Sequence, residues 1–165
     1  MNQSQTSKQF FRTISIIYFA MLIGMVGFTA VVLFIKSGNG EINAHGLSFP
    51  FSIVVPVLAA IVIIVSKLIY SRLCKSAFTK VKLSDKMKVY YSANIIRLAL
   101  VEGVALFSIV VVFISGEIYF LLFTLLLFLI FYTFKPSRER AISDLQLNLE
   151  EATRIKNDES IIFTS

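Results

Sequence analysis

The sequence predicts an all-α protein. The architecture expected is a four-helix transmembrane bundle, with helices 2 and 3 extended into the cytoplasm and a short amphipathic C-terminal tail. Three observations carry this. First, 56% of the 165 residues are hydrophobic and 16% charged, with a mean hydropathy of +0.79; soluble domains run near 45–50% apolar and about 25% charged. Second, four apolar runs fall at about 13–35, 50–78, 85–115 and 118–134, and about 20 apolar residues suffice to span a bilayer as a helix. Third, the charges are gathered into a few blocks between those runs. Residues 1–134 are therefore read as one transmembrane domain and 135–165 as a cytoplasmic tail.

Residues 1–9 are polar and are expected to fray. The first run, 13–35, follows Lys8 and Arg12, which resembles the charged start of a signal peptide. It is too long for a 7–15-residue signal core and no small-residue cleavage site follows, so it is a membrane helix. Ala20 and Gly24, with Gly27 near, form a small-xxx-small spacing that admits a close neighbouring helix. Residues 36–49 carry three glycines and two asparagines and form a loop. The second helix opens on Pro50, a residue suited to a first turn, and carries Pro56 inside, where a lost backbone donor favours a kink.

Helix-forming sequence continues past Lys67 to about residue 78. Ser84 followed by Asp85 then reads as the cap of the third helix. Helices two and three should thus form a hairpin that projects beyond the bilayer, with lysines at its tip. Gly116 marks a tight reversal, and the fourth run, 118–134, is nearly all Leu, Phe and Ile. Lys135-Pro136 ends it. In the tail, Ile142, Leu145 and Leu149 recur at helical spacing, predicting one or two short amphipathic helices and then a loose end.

Orientation follows from charge. Fifteen of the sixteen Lys and Arg residues fall on the segments of one side and only Lys36 on the other. Basic residues concentrate on the cytoplasmic face, so both termini are placed in the cytoplasm. Trp is absent, which leaves Tyr and Phe for the interfacial belts.

One run is different. The stretch from Tyr90 to Gly116 carries Arg97 and Glu102, and no other apolar run contains an acid. A carboxylate at a helix centre costs roughly 2.5–3.5 kcal/mol on insertion scales, so Glu102 is the candidate intramembrane polar site. Arg97, Lys67, Tyr18 and Ser66 fall at similar depth and complete it. Arg97 and Glu102 are five residues apart, on different faces of one helix. Arg97 is expected to snorkel to the interface, and Glu102 to meet Tyr18, Ser66 or Lys67, or to stay neutral. Two roles follow for Glu102: a clamp that fixes helix packing, or a proton or cation site open to the cytoplasm. The basic hairpin residues Arg72, Lys75, Lys80, Lys82, Lys86 and Lys88 are candidate contacts for anionic lipid headgroups or a protein partner.

Other classes find no support. There is no Gly-rich phosphate loop, no clustered His or Cys and no pair of intramembrane carboxylates, so no catalytic residue, metal ligand or cofactor site is assigned and the protein is not read as an enzyme. His45 is the only histidine and reads as a loop residue. Cys74 is the only cysteine, which excludes an internal disulfide and suits a small buried hydrophobe. The net charge of +6 reports topology, and nucleic acid is not an expected partner.

The segment NIIRLALVEGVALFSIV resembles an uncharacterised family of small four-helix integral membrane proteins seen especially in Bacteroidota. The shared core is Ile-Arg-x-Ala-Leu-x-Glu-Gly, matched here by Ile96, Arg97, Ala99, Leu100, Glu102 and Gly103. Lys135-Pro136 and the Asp144-Leu145-Gln146-Leu147 segment match the family's basic-Pro step and acid-Leu-x-Leu tail. Val104 stands where many members have proline. The resemblance covers helix three to about residue 150; it implies fold and membrane location, and no activity.

The functional expectation is a non-enzymatic structural or accessory membrane component. It would assemble with itself or a larger membrane complex. The alternative is a small proton- or cation-coupled transporter or channel that uses Glu102.

Overall fold

The computed structural model describes residues 5–40 and 49–163; His45 and most of the loop around it lie outside the described residues. The elements run β1 (Gln5–Thr6), α1 (Ser7–Gly38), α2 (Phe51–Ser76), α3 (Leu83–Ser115), α4 (Leu121–Thr133), α5 (Arg138–Asp144), α6 (Leu149–Lys156) and β2 (Ile161–Phe163). A 3-10 turn follows α2 at Ala77–Thr79 and another precedes α4 at Ile118–Phe120. Of the described residues, 83% are helical.

Three helices are long and apolar enough to cross a membrane: α1, α2 with its 3-10 extension, and α3. A fourth is added if Ile118–Thr133 and Arg138–Asp144, bent by 82° at their break, are counted as one span. The bend falls at Lys135-Pro136, where proline supplies no donor to carry the helix on. Within the most apolar stretch of each span, 39% of α3 is buried against 17% of α1 and 22% of α2, so α3 is the most buried of these three. Pro56 lies inside α2 without ending it.

The chain divides into two compact units. One comprises Met1–Phe19, Leu68–Arg97 and Lys135–Ser165; the other comprises Ala20–Lys67 and Leu98–Phe134. All Lys and Arg residues except Lys36 and Lys67 fall in the first, so the first is the charged unit and the second the apolar one.

The core of the charged unit joins Phe10, Phe11 and Ile14 of α1 to Cys74, Met87, Tyr90 and Ala93 of the α2–α3 hairpin and to Ala141, Leu145, Ile155 and Ile162 of the C-terminal segment. Two tail helices form where one or two are expected. Ser137 caps α5 by accepting from the Arg140 N–H at 3.2 Å. Glu139 in the first turn of α5 is held below the usual carboxylate range by its own backbone N–H and the Ser137 side chain.

The described segments from residue 5 and up to residue 163 are ordered in this unit, where the sequence reading expects fraying and a loose end. β1 pairs antiparallel with β2, α1 starts at Ser7 rather than near residue 13, and Ser7 is fully buried with its hydroxyl donating to the Ile155 carbonyl at 2.6 Å. Phe10 and Phe163 rings meet at 5.8 Å. The apolar triplet Ile161–Phe163 supplies the burial that a polar tail lacks.

The apolar unit has its own core of Val32, Val55, Ile109, Val111, Val112 and Phe120. Gly116 adopts φ 73° at the end of α3, its N–H bonded to the Val112 carbonyl at 2.8 Å. Only a residue at ease in the left-handed region closes the helix this way. The fully buried Ser108 hydroxyl crosses the resulting turn to the Phe120 carbonyl at 2.8 Å.

Candidate functional site

The two ionisable residues singled out on α3 have opposite surroundings. Arg97, in the charged unit, is 6% exposed. Its guanidinium carbon lies 3.7 Å from the centroid of the Tyr70 ring, and one terminal nitrogen donates to Asn94 Oδ1 at 2.7 Å. Arginine suits this place because its weakly hydrated, planar cation can stack on an aromatic face.

The network continues on both sides. The Tyr70 hydroxyl donates to Asp144 Oδ2 at 2.5 Å, tying α2 to α5. Asn94 Nδ2 donates to the Tyr90 carbonyl at 2.8 Å, and the Tyr90 hydroxyl donates to the Ser137 carbonyl at 3.2 Å. Arg97 thus shares one connected set of groups with α2, α3 and the start and end of α5. Buried polar groups that bond one another favour one packing of the helices that carry them, and the set around Arg97 does so for α2, α3 and α5.

A second polar tie holds α6. Lys86 Nζ donates to both carboxylate oxygens of Glu151, at 2.7 and 2.9 Å, with the side chains 13% and 11% exposed. Glu151 also accepts from the Asn148 N–H at 3.1 Å while its own N–H donates to Asn148 Oδ1 at 2.8 Å, forming a capping box. Lys86 is thereby engaged inside the chain. Arg72, Lys75, Lys80, Lys82 and Lys88 remain exposed. Lys88 approaches Asp85 at 3.7 Å, and an exposed pair of that kind holds a lysine weakly.

Glu102, in the apolar unit, is partly exposed and makes no hydrogen bond or ion pair with any described residue. A Cβ placed on Gly24 would lie 3.9 Å from Glu102 Oε1, so the glycine of the small-xxx-small spacing is where α1 passes the carboxylate. None of the partners expected for it makes a hydrogen bond or ion pair to it. Ser66 is fully buried and its hydroxyl donates to the Ile63 carbonyl of its own helix at 3.2 Å. Tyr18 is 1% exposed and packs edge-on against Phe19. Lys67 is exposed and bonds no described residue. Of the five candidate residues, Arg97 and Tyr18 belong to the charged unit, and Glu102, Ser66 and Lys67 to the apolar unit.

With this geometry in hand, comparison with known proteins adds nothing. The chain matches no protein family, curated protein or solved structure. Among the described residues, no three His, Cys, Asp or Glu side chains form a group able to hold a metal. Cys74 is 4% exposed and belongs to the core of the charged unit.

Sequence reading missed Tyr70, Tyr90, Asp144 and Glu151. Tyr70 and Asp144 are 74 positions apart, and no local pattern links them. Asn94 was within reach, since it precedes Arg97 by three residues, a spacing that juxtaposes side chains on a helix. Glu151 follows Asn148 by the same spacing, which is the sequence mark of a capping box.

Proposed function

We propose that the protein is a non-enzymatic integral membrane component. It is read as a four-helix bundle of the bacterial cytoplasmic membrane, with its charged unit and both termini in the cytoplasm. The observation that carries this is the length of the helices in the apolar unit. That unit takes 20–38 of α1, 51–67 of α2, 98–115 of α3 and Ile118–Thr133. Each segment has 16 to 19 residues, roughly 24–29 Å of helix at 1.5 Å per residue, against a hydrocarbon core of about 30 Å. Four segments of one length, nearly stripped of charge, suit one slab of hydrocarbon.

The distribution of cations supports the orientation, because fourteen of sixteen fall in the charged unit. Helices 2 and 3 would then continue into the cytoplasm as the hairpin. Arg72, Lys75, Lys80, Lys82 and Lys88 would meet anionic headgroups there, at about 1 kcal/mol for each residue near the surface. The core around Ile96 and Gly103 resembles small four-helix membrane proteins and points the same way. An accessory role fits a unit whose buried polar groups are spent on holding its own helices together. Such a component would assemble with itself or a larger membrane complex.

A second reading rests on one observation. Glu102 lies four residues inside the boundary of the apolar unit, roughly 6 Å by helical rise, and has no partner among the described residues. Intramembrane acids of this kind serve proton and cation pathways in other proteins. A pathway needs polar groups through the whole membrane, and the far half of the apolar unit offers few. Reconstituted vesicles decide between the two. The accessory reading predicts no gradient-driven proton, sodium or potassium flux from the parent, and an unchanged fold for Glu102→Gln, which retains hydrogen bonding but cannot release a proton. Flux in the parent that Glu102→Gln abolishes would establish transport instead.

A further inference from the structure

A pocket of about 550 Å³ opens in the charged unit between the strand pair, the start of α1 and α3. Small-molecule sites commonly have this size. Phe10 and Phe163 form an apolar wall, their rings 5.8 Å apart, and the Tyr91 ring meets Phe10 at 6.1 Å. The rest of the lining is polar: Gln5, Thr13, Lys88 and Ser92, with the Tyr91 hydroxyl.

Most of these polar groups are donors without an acceptor. The Gln5 amide and the Tyr91 and Ser92 hydroxyls hydrogen-bond no described residue. Ser92 is exposed and does not turn back to the Lys88 or the Val89 carbonyl, as helical serines often do. Lys88 is exposed as well, and its approach to Asp85 at 3.7 Å is a weak tie. Thr13 alone has its hydroxyl engaged, donating to the Gln9 carbonyl at 3.0 Å. Aromatic rings by themselves could cradle a cation, but a lysine stands in this lining and no carboxylate does. One positive charge and three neutral donors beside an apolar wall suit an anion carried on a carbon skeleton.

Depth narrows the choice of anion. Ser92 lies six residues outside the apolar unit along α3, and Thr13 seven along α1, roughly 9 and 10.5 Å by helical rise. Headgroups fill about 5–8 Å beyond the hydrocarbon on each side, so the pocket meets their outer edge. We propose that the pocket binds the phosphate of an anionic glycerophospholipid headgroup. Lys88, Tyr91 and Ser92 donate to the phosphate oxygens, and Phe10 and Phe163 cover the glycerol carbons. This rests on the membrane reading above and makes Lys88 a specific contact, where the other exposed cations of the hairpin attract headgroups only diffusely.

The test is native mass spectrometry of the full chain released from nanodiscs of phosphatidylethanolamine, phosphatidylcholine and phosphatidylglycerol, after activation that strips loosely held lipid. The parent should retain phosphatidylglycerol in preference to phosphatidylcholine. Lys88→Gln should lower the retained fraction about fivefold, the value of one cation near an anionic surface. Tyr91→Phe combined with Ser92→Ala should lower it about tenfold, and phenylalanine keeps the ring against Phe10. Lys75→Gln removes the same charge at an exposed position outside the pocket and should leave retention unchanged. Equal losses in Lys88→Gln and Lys75→Gln would reduce the effect to diffuse attraction and overturn the site. So would retention indifferent to the Tyr91→Phe, Ser92→Ala pair, or no preference for phosphatidylglycerol in the parent. Displacement of the lipid by glycerol 3-phosphate, with the soluble ester bound in its place, would assign the pocket to a free phosphate and overturn the lipid. A chain that fails to insert into the nanodiscs would instead refute the membrane reading itself.

Discussion

Tyr70→Leu should destabilise the charged unit by about 3 kcal/mol, while Tyr70→Phe should cost about half as much. The leucine removes both the ring on which Arg97 stacks at 3.7 Å and the hydroxyl bonded to Asp144 at 2.5 Å. A desolvated cation–π contact is worth about 2 kcal/mol and a hydrogen bond to a charged group about 1.5–3 kcal/mol; the two are not additive, because they share one ring. Phenylalanine keeps the stack and loses only the bond. Thermal or denaturant unfolding in detergent micelles reads the difference. Equal losses for both variants would mean that the ring contributes nothing to holding Arg97, and the clamp would then reside in the Tyr70–Asp144 bond alone.

Glu151 carries the other large effect. Glu151→Ala should cost about 3 kcal/mol, since breaking a buried pair by removing one partner costs about 3–5 kcal/mol and Lys86 can recover some water at 13% exposure. The same substitution breaks the capping box with Asn148, worth about 1 kcal/mol. Glu151→Gln should lose less, because glutamine can still bond the Asn148 N–H while only the charge opposite Lys86 is gone. Hydrogen exchange over Leu149–Lys156 is the direct readout. In Glu151→Ala those amides should exchange far faster than in the parent, with α1 and α3 little changed; uniform acceleration throughout the chain would contradict a local tie.

Much of the helical architecture was legible because hydrophobic run length is a strong local signal. The ends of α2, α3 and α4 fall within a few residues of the apolar runs, and Pro136 and Gly116 mark breaks that backbone chemistry requires. The start of α1 was not legible. Phe10, Phe11 and Ile14 sit among polar neighbours, and their burial depends on partners in 141–162. The β1–β2 pairing is non-local in the same way, joining Gln5 to Phe163.

The site divides similarly. Arg97 and Glu102 stand out in any reading, as charges in an apolar helix. Their surroundings do not, because they depend on tertiary placement. Sequence depth groups both with Lys67, Ser66 and Tyr18, while Asp144 reaching Tyr70 from α5 and Gly24 passing Glu102 from α1 leave no mark in the local sequence. Cys74, 4% exposed in the core of the charged unit, is shielded from thiol reagents.

The central claim is that the apolar unit crosses the membrane and the charged unit remains in the cytoplasm. Cysteine accessibility tests it most directly, in a Cys74→Ala background with single cysteines at two exposed positions, Asn39 and Lys80. A membrane-impermeant thiol reagent should label Asn39→Cys in intact cells and label Lys80→Cys only after the membrane is permeabilised. Labelling of Lys80→Cys in intact cells, or protection of Asn39→Cys until permeabilisation, would contradict the account.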